Sequence, residues 1–295
     1  MLPSPGMEAT RTEADADASP HLSLAITAFD EGARLPRSLE RVMPWLAGQP
    51  FTSEVVVNDD GSTDDTAAVV ERFGARYPGR VHLLRSPTNQ GKGAGLRRAV
   101  LATRGAVVIV SDADLSTPIE EAPRLLAALD TGADVVIGSR IQPDGSDMRA
   151  SQPRYRRLVG RLFHRLADPL VVRGIPDTQS GFKAFRGDVA RELFGGTSLT
   201  SIVYDVEVLH LAQRRGYRVA SVPVQWTNAT GSRMRVTPGH AWRVFYDLLR
   251  IPWLYRQTGR RESQTPRSAT ARPSTVPPVP DSLSGPRATV TRKES

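Results

Sequence analysis

Five short apolar runs, separated by stretches of helical periodicity, constrain the fold of this 295-residue chain more than any other feature. Residues 22–29 read as a first strand, followed by a helix carrying Leu35, Leu39 and Val42. Residues 54–57, 81–84, 106–110 and 134–138 read as further strands, with helices at 64–73, 95–103 and 120–129 between them. Runs that are apolar on both faces and joined by helices belong to a parallel sheet covered on both sides. The expected class is therefore α/β, a single domain with a mostly parallel, Rossmann-like central sheet. In such sheets ligands bind beyond the carboxyl ends of the strands. That rule directs attention to the loops starting at Phe29, Asp59, Asp112 and Ser139.

Composition limits what can sit there. The chain has no cysteine, which excludes disulfides and thiolate metal sites and leaves oxygen or histidine ligands. A net charge of +8 points to anionic partners: nucleotides, nucleic acid or a phospholipid surface. Some of that charge lies in a Pro/Ser/Thr/Arg-rich tail. Residues 258–295, like the small and acidic residues 1–20, have compositions that cannot bury a core and are expected to be disordered. The folded domain is expected to span residues 21–257. No apolar run approaches the ~20 residues that cross a bilayer. The N-terminus carries Glu8, Glu13, Asp15 and Asp17 without an apolar segment, so the expected location is cytoplasmic, with attachment to a membrane face left open.

Three strand ends carry carboxylates: Asp30-Glu31, Asp59-Asp60 and Asp112-Ala113-Asp114. The fifth strand ends in Arg140. Converging carboxylates repel one another unless a cation or ligand donors neutralise them. An Asp-x-Asp pair can hold Mg²⁺ or Mn²⁺ through oxygen while leaving positions for phosphate oxygens. Arg140 offers a planar fork of donors suited to phosphate. Taken singly, Asp59-Asp60-Gly61-Ser62 also reads as a turn, and Asp64 or Asp65 as a helix cap. Placement at successive strand ends is what favours a site. The Gly91-Lys92-Gly93-Ala94-Gly95 loop has neither the Walker nor the dinucleotide-binding spacing, which argues against ATPase and dehydrogenase readings. It reads equally as a close backbone approach to a ligand and as a tight strand-to-helix connection.

The segments AITAFDEGARL, VVVNDDGSTDDT, NQGKGAGLRRAV, VSDADLSTP and VIGSR occur in the order and spacing of family 2 glycosyltransferases. DTQSGFKAF, YDVEVL and VPVQWTNATGSR further resemble the dolichyl-phosphate β-glucosyltransferase branch, and the likeness spans residues 21–253. The resemblance implies a GT-A fold and a nucleotide-sugar donor held with Mg²⁺ or Mn²⁺. By resemblance, Glu31, Asp59, Asp60 and Asp112 serve the nucleotide, and Asp112 and Asp114 the metal. Arg140 faces the diphosphate, and Ser116 stands where related mannose synthases carry glutamine. Asp177, Gln179, Asp205 and Glu207 match motifs around sugar and acceptor, while Trp226, Ser232 and Arg233 match a segment closing over the site. The first motif departs from Pro-Ala-Tyr-Asn-Glu at Thr27, Phe29 and Asp30.

The implied reaction inverts a hexose, glucose from UDP-glucose, onto a polyprenyl or dolichyl phosphate at the cytoplasmic membrane face. A phosphate acceptor is largely ionised at neutral pH, its second pKa being ~6, and needs no base. A sugar hydroxyl does, and Asp205 is then the candidate; as the alternative, it is a capping or helix-surface carboxylate. GDP-mannose as donor, or a saccharide or small-molecule hydroxyl as acceptor, also fits the pattern. Nucleic-acid binding is disfavoured by the dispersed basic residues and the strand-end carboxylates. Two segments suit a peripheral membrane contact. Arg154, Arg157, Arg161 and Arg165 recur at helical spacing beside leucines, a pattern that more often belongs to a helix packing its leucines on the core with a solvated arginine face. Trp242, Phe245, Leu249 and Trp253 recur among arginines; this helix alternatively covers the sheet or forms a dimer contact.

Overall fold

The computed structural model describes residues 19–148, 171–227 and 238–257. Expectations for residues 1–18, for the basic stripe at 154–165, for Ser232 and Arg233, and for the tail from 258 lie outside the described residues.

The first half alternates as read: β1 (Leu22–Ala28), α1 (Leu35–Ala47), β2 (Ser53–Asp59), α2 (Thr66–Arg76), β3 (Val81–Arg85), α3 (Lys92–Leu101), β4 (Val107–Asp112), α4 (Ala122–Asp130) and β5 (Val135–Ser139). A short 3-10 turn at Ile119–Glu121 leads into α4. The second half adds β6 (Lys183–Arg186), α5 (Gly187–Gly195), α6 (Tyr204–Arg214), β7 (Val219–Pro223) and α7 (Pro238–Leu254). Together the seven strands form one sheet in the order β3-β2-β1-β4-β6-β5-β7.

Alternation along each strand divides the core between the two faces of the sheet. Leu24, Ile26, Val55, Val57 and Ile109 pack beneath α1, α2 and α4, where Leu39, Val70 and Leu125 meet them. Ala25, Val56, Val108 and Val110 face α3, α5, α6 and α7, meeting Leu96, Leu193, Leu209 and Ile251. Leu39 is fully buried, so truncating it to alanine is expected to remove about 2–5 kcal/mol of stability.

Two differences from the sequence reading bear on the site. The sheet is mostly parallel as expected, but an antiparallel strand that the sequence reading had not placed, β6, separates β4 from β5. Because β6 runs against its neighbours, its beginning lies at the edge where β4 and β5 end: Lys183 stands opposite Val110 and Ile137. Second, α3 starts at Lys92 rather than at Gly95, which brings a lysine to the rim as the first helical residue.

Candidate active site

Strand register assembles the rim. Ala28 of β1 is paired with Asp59 of β2, and Thr27 with Asp112 of β4, so the first three carboxylate-bearing loops leave the sheet side by side. Hydrogen bonds knit them together. The amide of Asp30 donates to the Ser62 hydroxyl (2.9 Å), and the amide of Thr63 donates to Asp30 Oδ1 (2.9 Å). Both Asp30 and Leu115, which follows the Asp-x-Asp motif, hold left-handed backbone with φ of 52° and 48°. Non-glycine residues adopt that region at a cost and do so most often in loops with special geometry.

Asp59 and Asp60 are buried beneath these loops. Asp59 Oδ1 accepts the amide of Ser62 at 3.0 Å, the turn geometry that the sequence left open. Asp60 accepts the amides of Gln90 and Gly91 and so anchors the glycine-rich loop. Burial raises the Asp60 pKa; those two amides, the Ser86 hydroxyl and Arg98 offset the effect only in part. Glu31 grips Arg34 through both carboxylate oxygens, at 2.7 and 2.5 Å.

The glycine-rich loop is shaped by close backbone approach. Gly91 has φ of 100°, and a side chain there would press on the Thr200 carbonyl. The amide of Gly93 donates to that same carbonyl at 2.9 Å. The connection thereby aims Lys92 across the rim, where Nζ lies 2.6 Å from Asp112 Oδ1. Burial works against the Lys92 charge, but Asp112, Asp205 and Asp114 outweigh it and hold the ammonium above its ordinary pKa. For Asp112, burial is likewise overcome by Lys92, Lys183 and Arg140, and its pKa is lowered.

Asp114 Oδ1 accepts the Ser116 amide (3.0 Å) and hydroxyl (2.9 Å), while Arg34 lies 3.9 Å from Oδ2. Ser116 thus touches the motif it follows. The pair was also expected to hold a divalent metal. Among the described residues no group of three His, Cys, Asp or Glu side chains converges as a closed metal cage. Two carboxylates from one loop nevertheless fit Mg²⁺ or Mn²⁺, which characteristically bind through one or two carboxylates plus substrate phosphates. The donor chemistry is compatible: Asp112 and Asp114 would hold the ion, and a bound donor's diphosphate would supply further oxygens.

Across the rim, Arg140 does not extend freely towards a diphosphate. Its Nε and Nη2 both engage Asp177, at 2.8 and 2.6 Å, and its backbone amide donates to the same carboxylate. Trp226 flanks the guanidinium, with the ring centroid 5.8 Å from Cζ. Burial opposes the Arg140 charge, yet Asp177, Asp112 and Asp205 raise its pKa above the ordinary value. Gln179 is half-buried between Asp177 and β6. The chain after β7 crosses the motif loop, where Thr227 donates its amide to the Ser116 carbonyl at 2.9 Å.

Asp205 lies in the first turn of α6 and is only 5% exposed, which corrects the reading of a helix-surface carboxylate. Its Oδ1 lies 2.5 Å from Lys183 Nζ, and Lys183 also donates to the Ser180 carbonyl. Burial, with Asp205 and Asp112 adding to it, raises the neighbouring Tyr204 phenol well above its usual pKa, so it stays neutral. Glu207, two residues after Asp205, is fully buried. It accepts the amides of Ser198 and Leu199 and the Tyr255 hydroxyl, a structural clasp rather than a sugar contact.

Two residues escaped the sequence reading. Lys92 and Lys183 lay inside the segments NQGKGAGLRRAV and DTQSGFKAF that carried the family resemblance, but neither was assigned a role there. With Arg140 they bring three cations to the rim of carboxylates. Gly181 belongs to the same design, because a Cβ there would overlap the Asp112 carboxylate.

Known proteins share this pattern. The sequence model of glycosyl transferase family 2 matches residues 23–194. A dolichyl-phosphate beta-glucosyltransferase of Trichomonas vaginalis is 32% identical over 262 residues, covering 84% of this chain and 76% of the relative. That of Homo sapiens is 30% identical over 257 residues, covering 83% and 78%. Among solved structures, Mycobacterium tuberculosis glucosyl-3-phosphoglycerate synthase, in complex with Mn²⁺, UDP-glucose and phosphoglyceric acid, superposes with a TM-score of 0.59. It is 22% identical, with 83% and 85% of the two chains covered. Pyrobaculum calidifontis mannosyltransferase with GDP-mannose and Mn²⁺ gives a TM-score of 0.50 at 17% identity, with 82% and 73% covered. These likenesses identify the architecture as GT-A, and the chain is a glycosyltransferase belonging to glycosyl transferase family 2.

Proposed function

We propose that this enzyme transfers glucose from UDP-glucose to a polyprenyl phosphate presented at a cytoplasmic membrane face. Kinship with enzymes named dolichyl-phosphate beta-glucosyltransferases supports the sugar and acceptor. The observation that carries the chemistry is the Lys92–Asp112 contact beside Asp114, which sets a fixed cation where a departing diphosphate would gather charge.

In this reading a phosphate oxygen of the acceptor attacks C1 of glucose from the face opposite the nucleotide. The C1–O bond to UDP breaks, its electron pair stays on the β-phosphate, and the configuration at C1 inverts. A bound Mg²⁺ or Mn²⁺, held by Asp112 and Asp114, would supply Lewis-acid stabilisation of the leaving diphosphate. Lys92 adds a preorganised positive charge at the same place, an effect worth several kcal/mol in other active sites. Arg140, clamped by Asp177 and flanked by Trp226, shapes the sugar side rather than swinging onto phosphate. An ionised phosphate needs no proton removed, which suits an Asp205 already engaged by Lys183. Asp205 then orients the sugar or acceptor.

The test is glucosyl transfer to detergent-dispersed polyprenyl phosphate. UDP-glucose is compared with GDP-mannose, each with Mn²⁺ or with chelator. Lipid-linked glucose that disappears on chelation supports the proposal. Mannosyl product in its place overturns the donor. Transfer only to a free saccharide overturns the acceptor.

A further inference from the structure

Helix α7 is the one described element whose large apolar side chains face outward in a row. Trp242, Tyr246, Leu249 and Trp253 are 69%, 53%, 40% and 72% exposed. They recur at steps of four, three and four residues, which confines them to about 60° of the helix circumference. The opposite face carries Leu248 and Ile251, with Tyr255 just past the helix end, all three buried in the core. The alternatives offered by the sequence therefore combine: the helix covers the core with one face and presents an aromatic stripe with the other.

Charge decides what the stripe fits. Arg243 and Arg250 border it, and Arg250 sits over the Tyr246 ring at 5.2 Å. The sole acidic residue of the helix, Asp247, is buried and lies 4.0 Å from Arg250. Aromatic residues with polar edges, bordered by arginine and free of exposed acid, match the headgroup region of an anionic bilayer. A helix with one apolar stripe and a basic border lies along an interface rather than through it, and no described helix is long and apolar enough to cross a membrane. Its seat is firm. The Tyr255 hydroxyl just beyond the helix donates to buried Glu207, which holds Ser198 and Leu199, next to the Thr200 carbonyl that receives the Gly93 amide. The stripe and the Lys92 loop are thus fixed to the same scaffold.

We propose that the Trp242–Trp253 face of α7 is a docking surface for an anionic lipid bilayer, with its aromatic side chains inserted at headgroup depth. The inference deepens the lipid-acceptor reading by naming the surface that meets the membrane, and it is tested without turnover. Full-length protein is floated with vesicles of phosphatidylcholine alone or with about 30 mol % phosphatidylglycerol, and tryptophan quenching by brominated lipid is recorded. The wild-type chain is expected to bind the anionic vesicles and be quenched. Trp242→Ser/Trp253→Ser should lower partitioning at least about tenfold and remove the quenching. Arg243→Gln/Arg250→Gln should weaken the anionic preference while keeping residual quenching. UDP binding by each variant reports intact folding.

Vesicle binding without quenching, or unchanged in the tryptophan variant, would place the contact elsewhere in the chain and overturn the proposal. Dimerisation lost in that variant, seen by sedimentation in place of lipid binding, would assign the stripe to a second copy and overturn it too. Vesicle binding with no glucosyl transfer would leave the surface standing and sink the acceptor reading.

Discussion

Lys92 Nζ meets Asp112 Oδ1 at 2.6 Å, so the first carboxylate of the Asp-x-Asp motif is accompanied by a cation of the chain's own. Both side chains remain about one-third exposed, 34% each, so the contact is poorly placed to contribute much to stability. Its value lies in charge delivered to the rim. Lys92→Met is expected to lower kcat by about 100-fold, with the melting temperature nearly unchanged. Steady-state kinetics alongside a thermal melt checks both halves; a stable variant of full activity would remove Lys92 from the mechanism.

Asp205 and Lys183 form the buried counterpart, with side chains 6% and 2% exposed. Removing one partner strands the other charge. Asp205→Asn should cost about 3 kcal/mol in denaturant unfolding, and pairing it with Lys183→Met should recover much of that. Turnover should stay low in the double variant if Asp205 orients substrate. Recovered turnover would reduce the pair to a structural role.

Gly181 tests positioning alone. A methyl group there collides with the Asp112 carboxylate, while the glycine itself has no positive φ that would make alanine a backbone problem. Gly181→Ala is expected to lose about 100-fold in kcat/KM through displacement of Asp112. Measuring donor affinity separately shows whether the loss begins at binding.

His210 makes stability depend on pH. Its Nδ1 lies 2.6 Å from the Val171 carbonyl, so the neutral ring carries its proton there, and Nε2 is buried with no hydrogen-bond partner among the described residues. Burial lowers its pKa, aided by Arg214 and opposed by the Val171 bond and Glu207. The unfolded chain therefore binds the proton first. The resulting loss of stability begins as pH falls through the ordinary histidine value near ~6.5 and continues to the lower folded value. Melting temperatures taken from pH 7.5 to pH 5.5, values chosen to bracket about 6.5, should fall more steeply for the wild type than for His210→Gln. Parallel slopes would remove His210 as the cause.

Much of this was legible before any coordinates. Five apolar runs announced β1 to β5 because parallel strands are buried on both faces, and boundaries moved by only a residue or two. β6 was missed because its four residues, Lys183 to Arg186, begin and end in charge and have no room for a pattern. β7 is a half-exposed edge strand ending in proline, equally short of apolar signal. The strand-end carboxylates were found by topology alone. What topology could not disclose was their pairing. Arg140 looked like a free phosphate clamp because Asp177 is 37 residues away, and Lys183 meets Asp205 across 22 residues of intervening chain. Glu207 was grouped with its neighbour Asp205, yet a helix turns two successive odd positions to different sides, one towards the rim and the other into the Tyr255 clasp.

The reversed strand has a consequence for how such an enzyme can diversify. In an all-parallel sheet, each new segment at the catalytic edge must travel to the far edge and return as a crossover. Between β5 and β6 the chain leaves and re-enters the sheet at one edge, an excursion whose near ends are Ser139, closing β5, and Lys183, opening β6, with Gly181 against Asp112. An excursion of that kind can lengthen, shorten or be exchanged without altering strand order. The length of chain at that edge can therefore change across descendants of this architecture while the strands that carry Asp59 and Asp112 keep their places.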